Sequence, residues 1–188
     1  MIELKDISFA YADHTVLEHF NLKAEAGACV CLFGPSGCGK TTVTRLLLGL
    51  ERPLSGQITV PAKWSCVFQE DRLVPRLNVW DNLRLPLSAE QYPKAAELLA
   101  EVGLEGVKQK RITELSGGMR RRLAVIRAIA YGGDALILDE PFNGIDAENK
   151  QKLAAIIRRE FTAKGKSVVL VSHLTEDAAL LNATILHI

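Results

Sequence analysis

The sequence is poor in the features that mark secreted, membrane-spanning and nucleic-acid-binding chains. Among its 188 residues are only four cysteines, and none has a histidine partner at the spacing of a zinc site. The formal net charge of +1 excludes a bulk positive field for nucleic acid. No apolar run reaches the roughly 20 residues of a membrane-spanning helix, and Met1–Asp6 lacks the pattern of a secretory signal. These absences predict a cytoplasmic protein that acts at a membrane only through a partner.

The pattern along the chain alternates between strands and helices. The predicted strands are Ile2–Phe9, Val16–Leu22, Ala28–Phe33, Gln57–Val60, Ser65–Phe68, Ala135–Leu138, Ser167–Val171 and Thr184–Ile188. The predicted helices are Lys40–Leu50, Val79–Leu87, Pro93–Val102, Gly117–Tyr131 and Ala147–Phe161. A polar turn over residues 12–14 separates the first two strands, and Cys29 and Cys31 share one face of the third as small buried residues. This alternation favours an α/β fold with a largely parallel sheet.

A glycine-rich stretch between a predicted strand and a predicted helix matches the phosphate-loop pattern G-x-x-x-x-G-K-[ST]. Its residues are Gly34, Pro35, Ser36, Gly37, Cys38, Gly39, Lys40 and Thr41. Glycines allow backbone N–H groups to surround an anion, and the helix start adds positive potential. We expect Lys40 to reach the β- and γ-phosphates, Thr41 to bind Mg²⁺ and Thr42 to add phosphate contacts. The loop by itself indicates only a nucleoside triphosphate, because kinases, GTPases and motors use it too.

Two acids follow the apolar strand over residues 135–138. Asp139 is at the position where a carboxylate organises Mg²⁺ beside a phosphate loop, and Glu140 is a candidate general base for an attacking water. The alternative is a solvated turn that happens to contain two acids.

A second glycine pair precedes the helix predicted at 117–131. Ser116 is a good N-cap there, and Gly117 and Gly118 leave backbone N–H groups open to an anion. In a head-to-tail dimer, each such helix start would cover the γ-phosphate held by the other protomer. The alternative is an ordinary capped helix with a basic face.

Taken in order, these motifs resemble the nucleotide-binding subunit of an ABC transporter. The family signature is LSGGQ, and the chain has it at residues 115–119 with Met119 in place of the glutamine. The resemblance implies a phosphate-loop ATPase of ABC type over residues 1–188. It implies a mostly parallel core sheet, an antiparallel β subdomain and a helical subdomain inserted at about 71–131. The chain ends soon after its last predicted strand, so we expect no regulatory extension of the kind some relatives carry.

The resemblance also assigns roles to four single residues. Tyr11 would stack on adenine, Gln69 would sense Mg²⁺ and the membrane partner, Asp146 would be the acid of the D-loop, and His173 would be the switch histidine near the γ-phosphate. Ser116, Gly117 and Gly118 would act on the nucleotide of the partner protomer. The alternatives without a functional role are that Tyr11 packs on the sheet and that Gln69 is a polar residue of a turn. Asp146 would then only cap a helix, and His173 would have no role.

The stretch 69–82 and Phe142 resemble bacterial importers of the nitrate, sulfonate and taurine type. This likeness implies ATP and Mg²⁺, a dimer of ATPase subunits, membrane permease subunits and an extracytoplasmic solute-binding protein. It places the chain at the inner face of the cell membrane, without a nucleic-acid partner. Apolar residues of this stretch would form a groove for a short permease helix, or would pack internally: Leu73, Leu77, Val79 and Trp80. A soluble ABC ATPase and a small-molecule kinase are the alternative functions.

Overall fold

A five-stranded, fully parallel sheet lies at the centre of the computed structural model, which describes residues 1–12 and 14–188. The strands are β1 (Ile2–Tyr11), β2 (His14–Ala24), β3 (Cys29–Phe33), β4 (Ser55–Thr59), β5 (Trp64–Val67), β6 (Ala135–Asp139), β7 (Ser167–Ser172) and β8 (Thr184–His187). The helices are α1 (Lys40–Leu47), α2 (Val79–Arg84), α3 (Tyr92–Glu101), α4 (Gly117–Tyr131), α5 (Ala147–Glu160) and α6 (Thr175–Leu180). The parallel sheet has the order β5-β6-β7-β3-β8, and a second, antiparallel sheet has the order β2-β1-β4. The predicted α/β class with two kinds of sheet is confirmed.

The parallel sheet is buried on both faces, as its continuous apolar strands predict. In β3, Cys29 and Cys31 face one hydrophobic core, while Val30 and Leu32 face the other. Burial raises the pKa of the Cys29 thiol to about 12 and that of Cys31 to about 11. Both cysteines therefore behave as small apolar residues, as predicted.

The boundaries of several elements differ from those predicted. Helix α1 ends at Leu47, because Gly49 takes a left-handed φ of 68°. Helix α2 ends at Arg84, just before Pro86, which has no N–H to continue a helix. Helix α6 was not predicted, since six residues carry too little periodicity to be recognised. In the predicted turn, His14 belongs to β2, and Asp13 lies outside the described residues.

Helices α2, α3 and α4 all fall between β5 and β6 in the chain and pack on one another. The loop that leads into α2 is fixed by Asn82, which is fully buried. The amide of Asn82 accepts a hydrogen bond from the Val74 N–H (2.7 Å) and donates to the carbonyls of Val74 (3.1 Å) and Asn78 (3.0 Å). One side chain thus holds the path of the chain between the parallel sheet and these helices.

Charged residues join α3 to α5 around Glu160. Its carboxylate contacts the ammonium groups of Lys94 (2.9 Å) and Lys164 (2.7 Å) and the guanidinium of Arg159 (2.9 Å). Arg159 also pairs with Glu101 on α3 at 2.9 Å. Burial by itself would raise the pKa of Glu160, but the hydrogen bonds from its three cationic neighbours outweigh that effect and hold the pKa at about 2.

We expect replacement of the Glu160 carboxylate to cause a loss of stability that depends on pH. A carboxyl whose folded pKa lies below its ordinary 4.5 stabilises the fold above that value, and the contribution disappears as pH falls towards the folded pKa. Glu160→Gln should lower the free energy of unfolding by about 1 kcal/mol at neutral pH, and by less at pH 3, as measured by urea titration. Glu97→Gln, on the exposed part of α3, is the control. An equal loss at both pH values would contradict the ionic origin of the effect.

Candidate active site

The register of the parallel sheet brings three loops to one edge. Strand β7 lies between β3 and β6, with Phe33 opposite Ser172 and Asp139 opposite Val171. Because parallel strands end at the same edge, the residues that follow β3, β6 and β7 come out side by side. These loops carry the phosphate-loop pattern, the pair of acids and the predicted switch histidine.

The loop after β3 needs glycine at positions where a side chain would collide. A Cβ on Gly34 would lie 2.7 Å from the Cys38 sulfur and 2.8 Å from the Ile188 carbonyl oxygen. Gly39, which directly precedes α1, has a φ of 108° that other residues rarely adopt. These two constraints explain the glycines at the ends of the pattern and give the loop its tight turn into the helix.

Lys40 extends across this loop. Its ammonium group donates hydrogen bonds to the carbonyl oxygens of Gly34 (2.8 Å) and Pro35 (2.7 Å) and lies 3.7 Å from the Cys38 sulfur. Lys40 is also the first residue of α1, so its charge adds to the positive end of the helix dipole. The loop is therefore a concave, positively charged site suited to an anion.

A cavity of about 480 Å³ opens in front of the loop. Its lining residues are Tyr11, His14, Val16, Ser36, Gly37, Gly39, Lys40, Thr41, Thr42, Gln69, Asp139, Glu140 and Val171. The volume falls within the range of small-molecule sites. Of the residues predicted to bind nucleotide, Gly34, Pro35 and Cys38 belong to the loop but do not line this cavity. The ring of Tyr11 packs edge-on against Phe9 (4.7 Å between centroids) and is still 42% exposed, so sheet packing leaves part of it accessible to a ligand.

Asp139 lies at the end of β6 in a crowded electrostatic setting. Burial and the neighbouring Glu140 charge raise the pKa of its carboxyl, while Arg121 and Lys40 act in the opposite direction. Asp139 lines the same cavity as Thr41, which has a hydroxyl oxygen, and Gln69, which has an amide oxygen. Mg²⁺ prefers such oxygen ligands and usually takes only one or two carboxylates beside the phosphates of its substrate. The donor set at this position therefore fits a magnesium ion.

The backbone at Glu140 departs from the extended conformation of β6. Its φ of 48° lies in the left-handed region, and its N–H donates to the Val171 carbonyl at 2.9 Å. One carboxylate oxygen lies 3.1 Å from Nδ1 of His173, and the other lies 3.5 Å from the Asn143 side-chain amide. The structure thus brings together the two residues predicted as catalytic, in a strained conformation of the kind that collects at functional sites.

Ser116, Gly117 and Gly118 do not line the cavity. The Ser116 hydroxyl caps α4 by accepting a hydrogen bond from the Met119 N–H at 3.3 Å, as predicted for an N-cap. A Cβ on Gly118 would lie 2.8 Å from the Gly144 carbonyl oxygen, so the start of α4 packs closely against the loop after β6. The start of α4 is therefore a capped helix N-terminus that is separate from the phosphate loop.

Asp146 caps α5, which was the bland alternative for this residue. Its carboxylate accepts a hydrogen bond from the Asn149 N–H at 3.0 Å and lies 3.9 Å from the Arg122 guanidinium on α4. Asp146 is exposed to solvent even though it caps the helix, so its carboxylate is still accessible to a partner.

Three residues at the site escaped the sequence reasoning. His14 and Val16 line the cavity, and their closeness to Tyr11 across the turn was the available signal. Arg121 is buried beneath the acids, although a basic surface on its helix was the alternative considered. Its spacing of four from Val125 and seven from Ala128, both buried, places it on the apolar face of α4.

The fold and the loop define a phosphate-loop nucleotide-binding domain. The ABC transporter family matches residues 17–143, and this chain belongs to that family. It is similar to an aliphatic sulfonates import ATP-binding protein of Rhodococcus jostii (strain RHA1), with 39% identity over 191 residues, 98% of this chain and 78% of that protein. It is also similar to a taurine import ATP-binding protein of Escherichia coli O157:H7, with 36% identity over 192 residues, 93% of this chain and 75% of that protein.

Solved structures agree with this assignment. An ATP-binding subunit of an ABC transporter has a TM-score of 0.87 and 26% identity, covering 95% of this chain and 81% of the other. A dimeric ATP-binding cassette in a post-hydrolysis state, bound to ADP and phosphate, has a TM-score of 0.86 and 25% identity. The match covers 100% of this chain and 94% of the other. The chain is an ATP-hydrolysing subunit of the ABC type. Across the described residues, no helix is both long and apolar enough to cross a membrane.

Proposed function

We propose that the chain drives solute import, and that it does so as a dimer with two ATP molecules between the protomers. The observation that carries the proposal is the incomplete cavity: it contains a phosphate loop and acids, while the signature residues 116–118 lie outside it. A second copy, facing the opposite way, would supply them. Import is supported by the names of the similar proteins, which are ATP-binding proteins for the import of aliphatic sulfonates and of taurine.

Nucleotide binding falls to the residues of the cavity and its loop. Tyr11 stacks on the adenine, and Lys40 leaves the two loop carbonyls to contact the β- and γ-phosphates. Backbone N–H groups of the loop and the side chain of Thr42 complete the phosphate contacts. The N–H donors belong to Gly34, Ser36, Gly37, Cys38 and Gly39, while Pro35, which has no N–H, contributes only to the shape of the loop around the phosphates. Thr41, Gln69 and Asp139 would hold Mg²⁺, which supplies positive charge against the phosphate oxygens.

Closure of the dimer brings Ser116, Gly117 and Gly118 of the partner over the γ-phosphate. Their backbone N–H groups and the helix start of α4 favour negative charge there, and closure excludes bulk water. The close contact between Gly118 and Gly144 connects this helix start to the loop of Asp146, which we assign to the interface between protomers.

Hydrolysis depends on Glu140. Its carboxylate accepts a proton from water as the water oxygen bonds to the γ-phosphorus and the bond to the ADP oxygen breaks. His173, 3.1 Å from Glu140, holds that carboxylate in position. Loss of the γ-phosphate removes the group that both protomers contact, so the dimer opens.

The membrane permease is proposed to dock on an open cleft of about 630 Å³ beside α2. The cleft is lined by Leu77, Asp81, Arg84, Leu85, Leu87 and Tyr92. Among the residues predicted for this groove, Val79 is fully buried and Trp80 packs against Tyr92 (5.9 Å between centroids), so internal packing describes these two better. Exposed Leu85 provides apolar surface for a short helix. The chain would then work as one domain at the inner face of the membrane, with a solute-binding protein outside and no nucleic acid.

Co-purification separates this proposal from a soluble ABC ATPase. The chain is expressed in its native host with an affinity tag, and its partners are extracted in mild detergent. We expect a polytopic membrane protein in equal amount with the chain, and loss of that protein in Leu85→Glu. Recovery of the chain with ribosomes or DNA in place of a membrane protein would favour the soluble alternative.

Glu140→Gln should slow ATP turnover and leave nucleotide binding intact. Removing a general base lowers kcat by about 100-fold or more, while the amide keeps the size of the side chain. We expect ATP-dependent dimers to accumulate in gel filtration, because the bridging γ-phosphate is no longer cleaved. Glu148→Gln on the exposed face of α5 is the matched control. Full hydrolysis by the Glu140 variant would refute the general-base role.

Ser116→Arg should prevent closure without preventing ATP binding by a single protomer. The bulky charged side chain would occupy the space of the partner's γ-phosphate. ATPase activity should fall by about tenfold or more, with the Kd for ATP unchanged within about threefold. Ser88→Arg, at another exposed cap, is the control. Activity that survives in the Ser116 variant would rule out a shared site.

A further inference from the structure

Arg121 on α4 carries a permanent charge in the interior of the molecule. Its side chain is only 5% exposed, and a buried charge is unfavourable unless its donors are satisfied. Because a guanidinium has five N–H donors in a rigid plane, it can bond to several acceptors in fixed directions. The identity of those acceptors indicates what the residue does.

The guanidinium bridges two separate segments of chain. Nη1 donates to the carbonyl oxygens of Phe68 (2.7 Å) and Gln69 (3.3 Å) and to the Asp71 carboxylate (3.2 Å). Nη2 donates to the carbonyl oxygens of Asp139 and Glu140, the latter at 2.9 Å. Four of these five acceptors are backbone carbonyls. The contact therefore fixes the course of the backbone rather than forming a simple ion pair.

Both segments belong to the active site described above. Gln69 and Asp139 line the cavity, and Glu140 has the strained φ of 48°. Strain of this kind persists only where surrounding contacts hold it, and the hydrogen bond to the Glu140 carbonyl is one such contact. Arg121 also lies five residues after Ser116 on the same helix.

We propose that Arg121 is a positioning residue that sets the relative placement of Gln69 and the Asp139–Glu140 pair, and ties both to the helix that presents Ser116 to the partner's nucleotide. The inference rests on the proposed function for the roles of those residues. Arg121 itself does not line the cavity, so it acts through the backbone that carries them.

Arg127, on the same helix, offers a matched comparison. It donates to the carbonyl oxygens of Asp71 (2.9 Å) and Arg72 (3.0 Å) and so holds the first segment. Within the described part of the chain, the Arg127 guanidinium forms no hydrogen bond to β6. Removing Arg127 therefore tests the loss of a half-buried arginine that contacts Asp71 and Arg72, without the loss of the bridge.

Amide hydrogen exchange on the nucleotide-free chain tests positioning apart from catalysis. In Arg121→Gln we expect faster exchange at both 68–72 and 139–143, and in Arg127→Gln at the first segment alone. This pattern of exchange would support the bridge whether or not the chain hydrolyses ATP. A parent chain that failed to hydrolyse ATP would refute the proposed function and leave the bridge intact. Unchanged exchange at 139–143 in Arg121→Gln would overturn the inference.

Kinetics supply the second test. Displacement of catalytic groups by about 1 Å can cost about 100-fold in rate, so we expect kcat of Arg121→Gln to fall by about tenfold or more. The Mg²⁺ concentration for half-maximal activity should rise, while ATP affinity without Mg²⁺ stays within about threefold. Arg121→Lys should recover only part of kcat, because an ammonium lacks the planar fork that spans both segments. An equal loss of kcat in Arg127→Gln and Arg121→Gln would overturn the proposal.

Asp71→Asn covers the case in which the Arg121 variants do not fold. It keeps Arg121 and its four carbonyl contacts and removes only the carboxylate. We expect kcat within about threefold of the parent, because Asp71 is only one of the five acceptors of the guanidinium and the four carbonyl contacts remain. A loss of about tenfold or more would assign the effect to the ion pair and contradict a role through the backbone.

Discussion

The parallel register of β6, β7 and β3 is the constraint on which the rest of the site depends. Hydrogen bonds between these strands place Asp139 beside Val171 and Phe33 beside Ser172, so the loops that follow have to emerge together. Burial of both faces of the sheet fixes that register, because a shift by one residue would turn apolar side chains such as Leu32 into the opposite core. The positions of the residues at this edge of the sheet therefore depend on side-chain packing in the two hydrophobic cores.

Most of a nucleotide site lies within one chain, at the carboxyl-terminal edge of the parallel sheet. The signature residues 116–118 lie outside this site. The start of α4 is linked to the acids in two ways: Gly118 packs on Gly144, and Arg121 bonds to the carbonyls of Asp139 and Glu140. The helix start that we propose to act on the partner's nucleotide is thus attached to the acids that we propose to act on the nucleotide of the same chain. Such an attachment lets each of the two proposed sites respond to closure at the other.

The parallel sheet, the glycine-rich loop before α1 and the positions of Glu140 and His173 at strand ends could be predicted, because each has a local pattern: an apolar run, a glycine spacing or a strand end. The 3.1 Å contact between Glu140 and His173 was not predicted. Sequence reasoning missed α6, whose six residues are too few for periodicity, and it misplaced the ends of α1 and α2. It also missed Arg121. The helical spacing indicates that this residue is buried, but its carbonyl acceptors at Phe68 and Gln69 are more than 50 residues away in sequence and have no local pattern. The roles of Tyr11, Ser116 and Asp146 remain predictions.

The shared site is tested most directly by mixing two variants that are each impaired in ATP hydrolysis. Lys40→Ala removes the phosphate contact of one protomer, and Ser116→Arg obstructs the partner's site. A mixed dimer would contain one intact composite site, formed by Lys40 of one chain and Ser116 of the other. We predict that ATPase activity of the mixture exceeds the sum of the two variants measured separately. Activity equal to that sum, at concentrations where mixed dimers form, would contradict a nucleotide site built from two chains.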